Sequence, residues 1–178
     1  MPRPQFKNQK FEQLNQILRV DHAGEYAACK ICEGQIAGSS SNDKEKFFTM
    51  LQEERLHLSF FNNELVKRGV RPTILMPIWD KLSYALGYLS AKHSLKSGML
   101  ATEAIESVIE KHYEDQIPLL NDDKELQDKI QKFKEDETHH KQVANAHYNL
   151  NNLNMMEKAF FKFVKASCRI AIFLSTRV

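Results

Sequence analysis

Cysteine is scarce, with only Cys29, Cys32 and Cys168 in a chain of 178 residues. That is too few for a disulfide framework, and no secretory leader precedes them, so a reducing compartment is expected. Cys29-x-x-Cys32 has no second cysteine pair with which to close a structural zinc site, and no thioredoxin-like strand pattern surrounds it. Both are expected to pack as small apolar side chains. Glycine is sparse too, with six residues and no G-x-G-x-x-G or other phosphate-cradling loop. That excludes a recognisable dinucleotide domain; electrons from a nicotinamide cofactor would have to arrive through a partner or a shallow docking site. Gly34-x-x-x-Gly38 falls at a polar helix end and is read as carrying little meaning. The chain also lacks charge of one sign. Its net charge is +2, with no arginine-rich tract and no aromatic–basic platform, so nucleic acid is not an expected partner. The most apolar stretch, residues 73–92, is broken by Pro77, Asp80 and Lys81 and is too interrupted for a transmembrane span. No alternating strand pattern occurs, so the expected class is all-α.

What remains is an ordinary soluble composition, 42% hydrophobic and 27% charged, for which one domain is expected. Within it six residues recur in a fixed order: Glu25, then Glu54-x-x-His57, then Glu106, then Glu137-x-x-His140. A Glu and a His three positions apart on a helix lie about 60° apart around the axis and reach one face. Each acid sits in the middle of an apolar stripe. Glu25 shares its face with Leu14, Leu18, Cys32 and Ile36, and Glu54 with Phe47, Leu51, Phe61 and Leu65. Glu106 lies with Met99, Tyr113 and Ile117, and Glu137 with Leu126, Ile130, Phe133 and Ala144. Four uncompensated carboxylates in one core would be prohibitively costly. Two divalent cations would balance them, with the imidazoles as neutral donors. This is the ligand set of a two-metal site inside a four-helix bundle. The intervals Glu25–Glu54 and Glu106–Glu137 are nearly equal, as for one helical hairpin used twice, and the long stretch between the halves serves as a crossover.

In chain order, residues 1–8 are basic and read as a loose arm. The first helix is expected over about 9–37, ending at Gly38. Asn42 or Asp43 can cap a second helix running to Arg68, with Gly69 as its stop. A crossover helix starts near Pro77; it is either buried on the bundle or laid in a membrane interface, with Trp79, Tyr84 and Tyr88 suited to the headgroup zone. A helix over 95–117 ends or kinks at Pro118. Another spans 122–149 with Asn121 or Asp122 as cap, and a last one spans 155–175. In the last, Lys158, Lys162, Lys165 and Arg169 form one basic stripe beside apolar surface, read either as in helices that hold an anionic bilayer or as the solvated edge of a terminal helix packed on the bundle.

Mixed carboxylate and imidazole donors suit iron or manganese, and iron is preferred because it activates dioxygen. Glu54 and Glu137 would bridge the ions, Glu25 and Glu106 would each bind one, and His57 and His140 would each bind one. Ligand imidazoles give their other ring N–H to an outer acid; the expected pairs are crossed, Asp136 with His57 and Glu53 with His140. His139 competes with His140, which is preferred because it repeats the Glu54/His57 pattern. Tyr113, two turns beyond Glu106, either relays a proton or electron or packs.

The run Leu18-Arg19-Val20-Asp21-His22-Ala23-Gly24-Glu25 resembles the first-helix signature of the demethoxyubiquinone hydroxylase family. Arg71-Pro72-Thr73 with Leu75-Met76-Pro77 and Trp79 resembles its crossover. His112-Tyr113 with Gln116-Ile117 resembles its fourth helix, and Cys168-Arg169 with Ala171, Leu174-Ser175 and Arg177 its last. The family often has Gly where Ala27 stands. The resemblance implies a single ferritin-like di-iron hydroxylase domain over 1–178, a four-helix di-iron bundle with a crossover helix and a C-terminal amphipathic helix. It implies an O2-dependent monooxygenase of ubiquinone biosynthesis with two iron ions per subunit, hydroxylating a polyprenyl 6-methoxy-3-methyl-1,4-benzoquinol. By register the six ligands fall on Glu25, Glu54, His57, Glu106, Glu137 and His140, and the family's catalytic His–Tyr pair on His112 and Tyr113. The implied location is peripheral, on the cytoplasmic face of a bacterial cell membrane, or on the inner mitochondrial membrane for a mature eukaryotic form. Partner proteins of quinone biosynthesis and a homo-oligomer are compatible with it.

Overall fold

The computed structural model describes residues 4–177, apart from the side chains of 4–9 and of residue 150. Six α-helices follow one another: α1 (Pro4–Gly38), α2 (Lys44–Arg68), α3 (Met76–His93), α4 (Leu95–Gln116), α5 (Lys124–Asn145) and α6 (Met155–Ser175). Among the described residues there is no strand. The expected loose arm is corrected in part. Helix α1 begins at Pro4, a residue whose fixed φ suits a first helical turn, and only residues 1–3 of that arm lie outside the described residues.

Helix ends follow local chemistry, with three corrections. Gly69 closes α2 at φ 66°, its N–H returning to Leu65 and Val66 carbonyls, as expected. Asp43 stands at the start of α2 but does not cap it; its carboxylate takes the Ser40 hydroxyl and Lys46 instead. Asp123, rather than Asn121 or Asp122, caps α5 by accepting from the Leu126 N–H. Helix α4 stops at Gln116, and Pro118 sits in a 3-10 turn over Ile117–Leu120. Helix α5 ends at Asn145 rather than 149. Asn154 and Glu157 cap α6 reciprocally.

Helices α1, α2, α4 and α5 enclose a core in two apolar layers. One layer joins Leu18, Phe61, Leu65, Tyr113, Leu126, Ile130 and Phe133. The other joins Cys29, Cys32, Phe47, Met50, Leu51, Met99 and Ala144. The four stripe acids fall between these layers, because each stripe carries its Glu midway along its own helix. Arg68 ties the end of α2 to Asp123 at the start of α5, 2.7 Å apart.

The crossover helix α3 lies along α1, and here the glycines matter after all. A Cβ on Gly34 would stand 2.2 Å from the Tyr84 carbonyl oxygen, and one on Gly38 2.4 Å from that of Tyr88. Across the contact, a Cβ on Gly87 would stand 2.1 Å from the Ile31 oxygen. Gly34-x-x-x-Gly38 is therefore a backbone-to-backbone packing seam, which the polar setting of the motif concealed. Helix α6 packs on α4 and α1 through Val164, Ile105 and Ile31. Trp79 of α3 donates its indole N–H to the Ser175 hydroxyl of α6 at 3.1 Å.

Candidate metal centre

Glu25 comes from α1, Glu54 and His57 from α2, Glu106 from α4, and Glu137 and His140 from α5; all six side chains are buried. They form two groups able to hold a metal ion. One is Glu25, Glu54, His57 and Glu137; the other is Glu54, Glu106, Glu137 and His140. Glu54 and Glu137 belong to both groups, and each group has its own Glu and His. Both imidazoles turn Nδ1 inward. His57 Nδ1 lies 3.2 Å from Glu137 and 3.5 Å from Glu25. His140 Nδ1 lies 3.1 Å from Glu54 and 3.2 Å from Glu137. Both turn Nε2 outward onto an acid in the crossed sense: Asp136 at 3.2 Å from His57, and Glu53 at 2.5 Å from His140. Such outer partners fix the ring orientation and tautomer. The Phe133 ring, 4.2 Å from the His57 centroid, closes one side.

The electrostatics show a cluster short of positive charge. Burial pushes the Glu54 carboxyl well up, and the Glu137 charge adds to it. Burial raises Glu106 likewise, with Glu137 and Glu54 contributing. Burial also opposes charge on Glu137, but His140 and His57 outweigh it and hold that carboxyl at about 2. For His57 burial works against the proton, yet the Glu137 and Glu25 carboxylates keep its pKa up at about 11. His140 is raised in the same way by Glu137 and Glu54. Protons on the two imidazoles thus stand where cations would neutralise the acids. His57 Nδ1 and Glu54 Oε2 remain buried without a hydrogen-bond partner, both within the cluster. Hard oxygens with two imidazoles, two of the acids shared, fit a pair of divalent ions of the iron and manganese class.

A cavity of about 270 Å³ reaches the cluster from the outer side of α1 and α4. Its walls are mostly apolar: Ala23, Ala27 and Ile31 of α1, Leu82 and Leu86 of α3, Ile105 and Ile109 of α4, Phe163 and Ile172 of α6. Glu25, Glu54, Glu106 and Glu137 lie at its inner end, and Trp79 and Ser175 line it where α3 meets α6. His112 and Tyr113 also line it. Tyr113 is fully buried and donates its hydroxyl to Glu25. Burial, with the Glu25 charge beside it, pushes the phenol well above its ordinary value, so it keeps its proton. His112 Nε2 stands 3.3 Å from Asp21 and 2.7 Å from the Gln116 amide nitrogen. The two therefore face different partners, Tyr113 the Glu25 carboxylate and His112 that of Asp21.

The remaining candidates separate cleanly. His139 is exposed and His140 buried in the cluster. His22 pairs with Asn62 at 3.0 Å, and burial lowers its pKa. Cys29 and Cys32 are buried free thiols in the core, and burial holds Cys29 at about 12. Cys168 lines the cavity as a thiol raised to about 12, by burial first and then by Glu106. Sequence reasoning missed Asp21 and Gln116 as a buried pair joined at 2.7 Å. They are far apart in the chain, on helices of opposite halves, and no spacing rule links them. It also missed Glu103, which accepts from the Tyr148 hydroxyl.

Residues 12–175 match the family described as Ubiquinone biosynthesis protein COQ7. A Dictyostelium discoideum protein named NADPH-dependent 3-demethoxyubiquinone 3-hydroxylase, mitochondrial, is 41% identical over 170 residues, covering 93% of this chain and 77% of its own. The human protein of the same name is 36% identical, with 93% and 78% covered. A Rhodospirillum rubrum protein named 3-demethoxyubiquinol 3-hydroxylase is 35% identical, with 93% and 78% covered.

Proposed function

The chain belongs to the COQ7 family of ubiquinone biosynthesis, and from that premise we propose that its paired carboxylate–histidine clusters hold two iron ions beside which a polyprenyl demethoxyubiquinol is hydroxylated with O2. The chain is a hydroxylase of ubiquinone biosynthesis. The observation that carries the finer reading is the sharing of Glu54 and Glu137 between two buried ligand groups at the inner end of an apolar cavity. Glu54 and Glu137, common to both groups, would hold both ions, with Glu25 and His57 completing one site and Glu106 and His140 the other. Asp136 and Glu53 hold the two imidazoles by Nε2 so that Nδ1 faces inward. Bound iron supplies the activation of dioxygen. The protein's own residues do the rest. Apolar walls exclude water from the ring and seat the first isoprene units. Tyr113 keeps its proton and donates its hydroxyl to Glu25, which fixes the carboxylate's orientation. His112, next to Tyr113, lines the cavity beside Asp21.

A polyprenyl tail resides in a bilayer, and the outer helices are shaped for one. Among the described residues no helix is long and apolar enough to cross a membrane. Helix α3 packs one face on α1 and leaves Ile78, Leu82 and Leu89 exposed on the other, with Ile74 just before it. Helix α6 exposes Met155, Met156, Phe163, Ile170, Phe173 and Leu174 on one face, bordered by Lys158, Lys162 and Arg169. One face of the crossover helix is thus buried on α1, and the exposed apolar side chains of the other support an interfacial role. The cavity runs between these two helices, so peripheral docking through α3 and α6 brings its mouth to the acyl chains.

The test is mass spectrometry of the product formed from a short-tailed demethoxyquinol, reduced iron-loaded protein and oxygen-18 gas. One labelled ring oxygen is expected. Iron oxidised without labelled product would replace the hydroxylase reading by that of an iron oxidase.

A further inference from the structure

Resting on the reading of the cavity as a quinol site, we propose that Asp21 recognises the reduced headgroup, accepting a hydrogen bond from a ring hydroxyl through its free carboxylate oxygen. Asp21 is 2% exposed and lines the cavity one helical turn before Glu25, about 6 Å along the axis. It is the one acid of the cavity wall outside the proposed ligand set. Its Oδ1 accepts from Gln116 Nε2 at 2.7 Å and faces His112 Nε2 at 3.3 Å. Its Oδ2 is buried with no hydrogen-bond partner in the protein. A buried acceptor left alone is costly. A ligand that donates there recovers that cost on binding.

The two redox forms of the headgroup differ in this respect. The quinol carries two O–H donors. The quinone carries two carbonyls and none. Burial raises the Asp21 pKa, while His112 and Gln116 favour its charged form; as a carboxylate, which only accepts, Asp21 pairs with the quinol and faces an acceptor in the quinone. A ring whose reacting carbon is beside the metal ligands has a hydroxyl within the one-turn reach of Asp21. Gln116 is a positioning residue: its amide nitrogen pins Oδ1 and so decides which oxygen is left for the ligand. The relatives' names divide between ubiquinone and ubiquinol; this geometry assigns the reduced form as the ligand that is held.

Trp79 is the single tryptophan of the chain and lines the same cavity, so its fluorescence reports occupancy. Reduced, iron-loaded protein at neutral pH and without oxygen is titrated with a short-tailed demethoxyquinol, its quinone and its dimethyl ether. The wild type is expected to bind the quinol at least about tenfold more tightly than the other two. Asp21→Asn keeps Oδ1 for Gln116 and puts an N–H donor at the free position. Its iron content is expected to match the wild type, with the quinol preference lost or reversed. Equal binding of all three ligands by the wild type overturns the assignment and leaves the hydroxylase reading standing, as does an undiminished preference in Asp21→Asn. A wild-type preference for the quinone, as a protonated Asp21 would give, overturns it too. Quenching by none of the three overturns the assignment together with the quinol site. Should Asp21→Asn not fold, the dimethyl ether in the wild type decides, because it keeps the ring and loses both donors.

Discussion

Glu54 and Glu106 are both buried carboxylates on apolar helix faces, yet they differ in how many ligand groups they serve. Glu54 belongs to both and Glu106 to one. Glu54→Ala is therefore expected to abolish iron loading and hydroxylation together, whereas Glu106→Ala retains about one ion per chain without product; metal analysis by mass spectrometry separates the two. Equal iron in the two variants would contradict the bridging assignment. Asp123 shows a residue-scale effect on stability instead. It caps α5 and meets Arg68. Burial is the largest single influence and raises its pKa, but the Leu126 N–H and Arg68 together outweigh it and hold the carboxyl below the ordinary value. A depressed folded pKa means that its stabilisation is present above about pH 4, the unfolded value, and is lost as pH falls through the folded one. Asp123→Ala is expected to cost about 1 kcal/mol at pH 7, and denaturant midpoints of variant and wild type should converge towards pH 2.

At the scale of elements, two alanine substitutions on α1 should act with opposite signs. At Gly34 a methyl group would meet the α3 backbone, which cannot step aside as a flexible side chain can. Gly34→Ala is expected to destabilise by about 2 kcal/mol or more. At Gly24 the nearest atom is Ile109 Cδ1 at 4.0 Å, so Gly24→Ala should stabilise by about 0.5–1 kcal/mol through helix propensity. Urea unfolding of both variants reads the difference. Helix α6 pairs an exposed apolar face with a basic edge, and the basic edge is exposed at Lys158, Lys162 and Arg169. Lys158→Glu with Lys162→Glu should weaken sedimentation with anionic vesicles by tenfold or more, at about 1 kcal/mol per charge removed. Unchanged binding at low salt would remove α6 from the docking surface. Most helices were readable from periodicity and stop signals, Gly69 and the 155–175 segment above all. The caps of α2 and α5 were not: Asp43 engages Ser40 and Lys46 instead of the α2 backbone, and at α5 Asn121, Asp122 and Asp123 compete for one position.

For the whole molecule, the buried acids set stability without metal against function with it. Four carboxylates between two apolar layers impose desolvation that protons on the imidazoles only partly offset. Removing one acid should relieve it. Glu106→Leu is expected to be as stable as the metal-free wild type or more so, by about 1–4 kcal/mol. Iron should stabilise the wild type by about 2.7 kcal/mol at a hundredfold excess over its dissociation constant and the variant by less. Thermal unfolding with and without ferrous iron under argon measures both terms. A metal-free variant less stable than the metal-free wild type would mean that Glu106 supports the fold itself.

The repeated Glu and Glu-x-x-His order, each acid centred in an apolar stripe, was enough to predict an all-α chain, four core helices and the six candidate ligands. Helical periodicity is local, so spacing alone carries which side chains share a face. The crossed pairs Asp136–His57 and Glu53–His140 were also within reach, because each acid directly precedes its own helix's core Glu. Only the tertiary structure decided what lies between helices far apart in the chain. The Gly34–Gly38–Gly87 seam needs two backbones brought together, and the cavity needs α3 and α6 placed beside α1 and α4. The Asp21–Gln116 pair joins opposite halves of the bundle. Distances between elements depend on packing, and no periodicity within one helix encodes them.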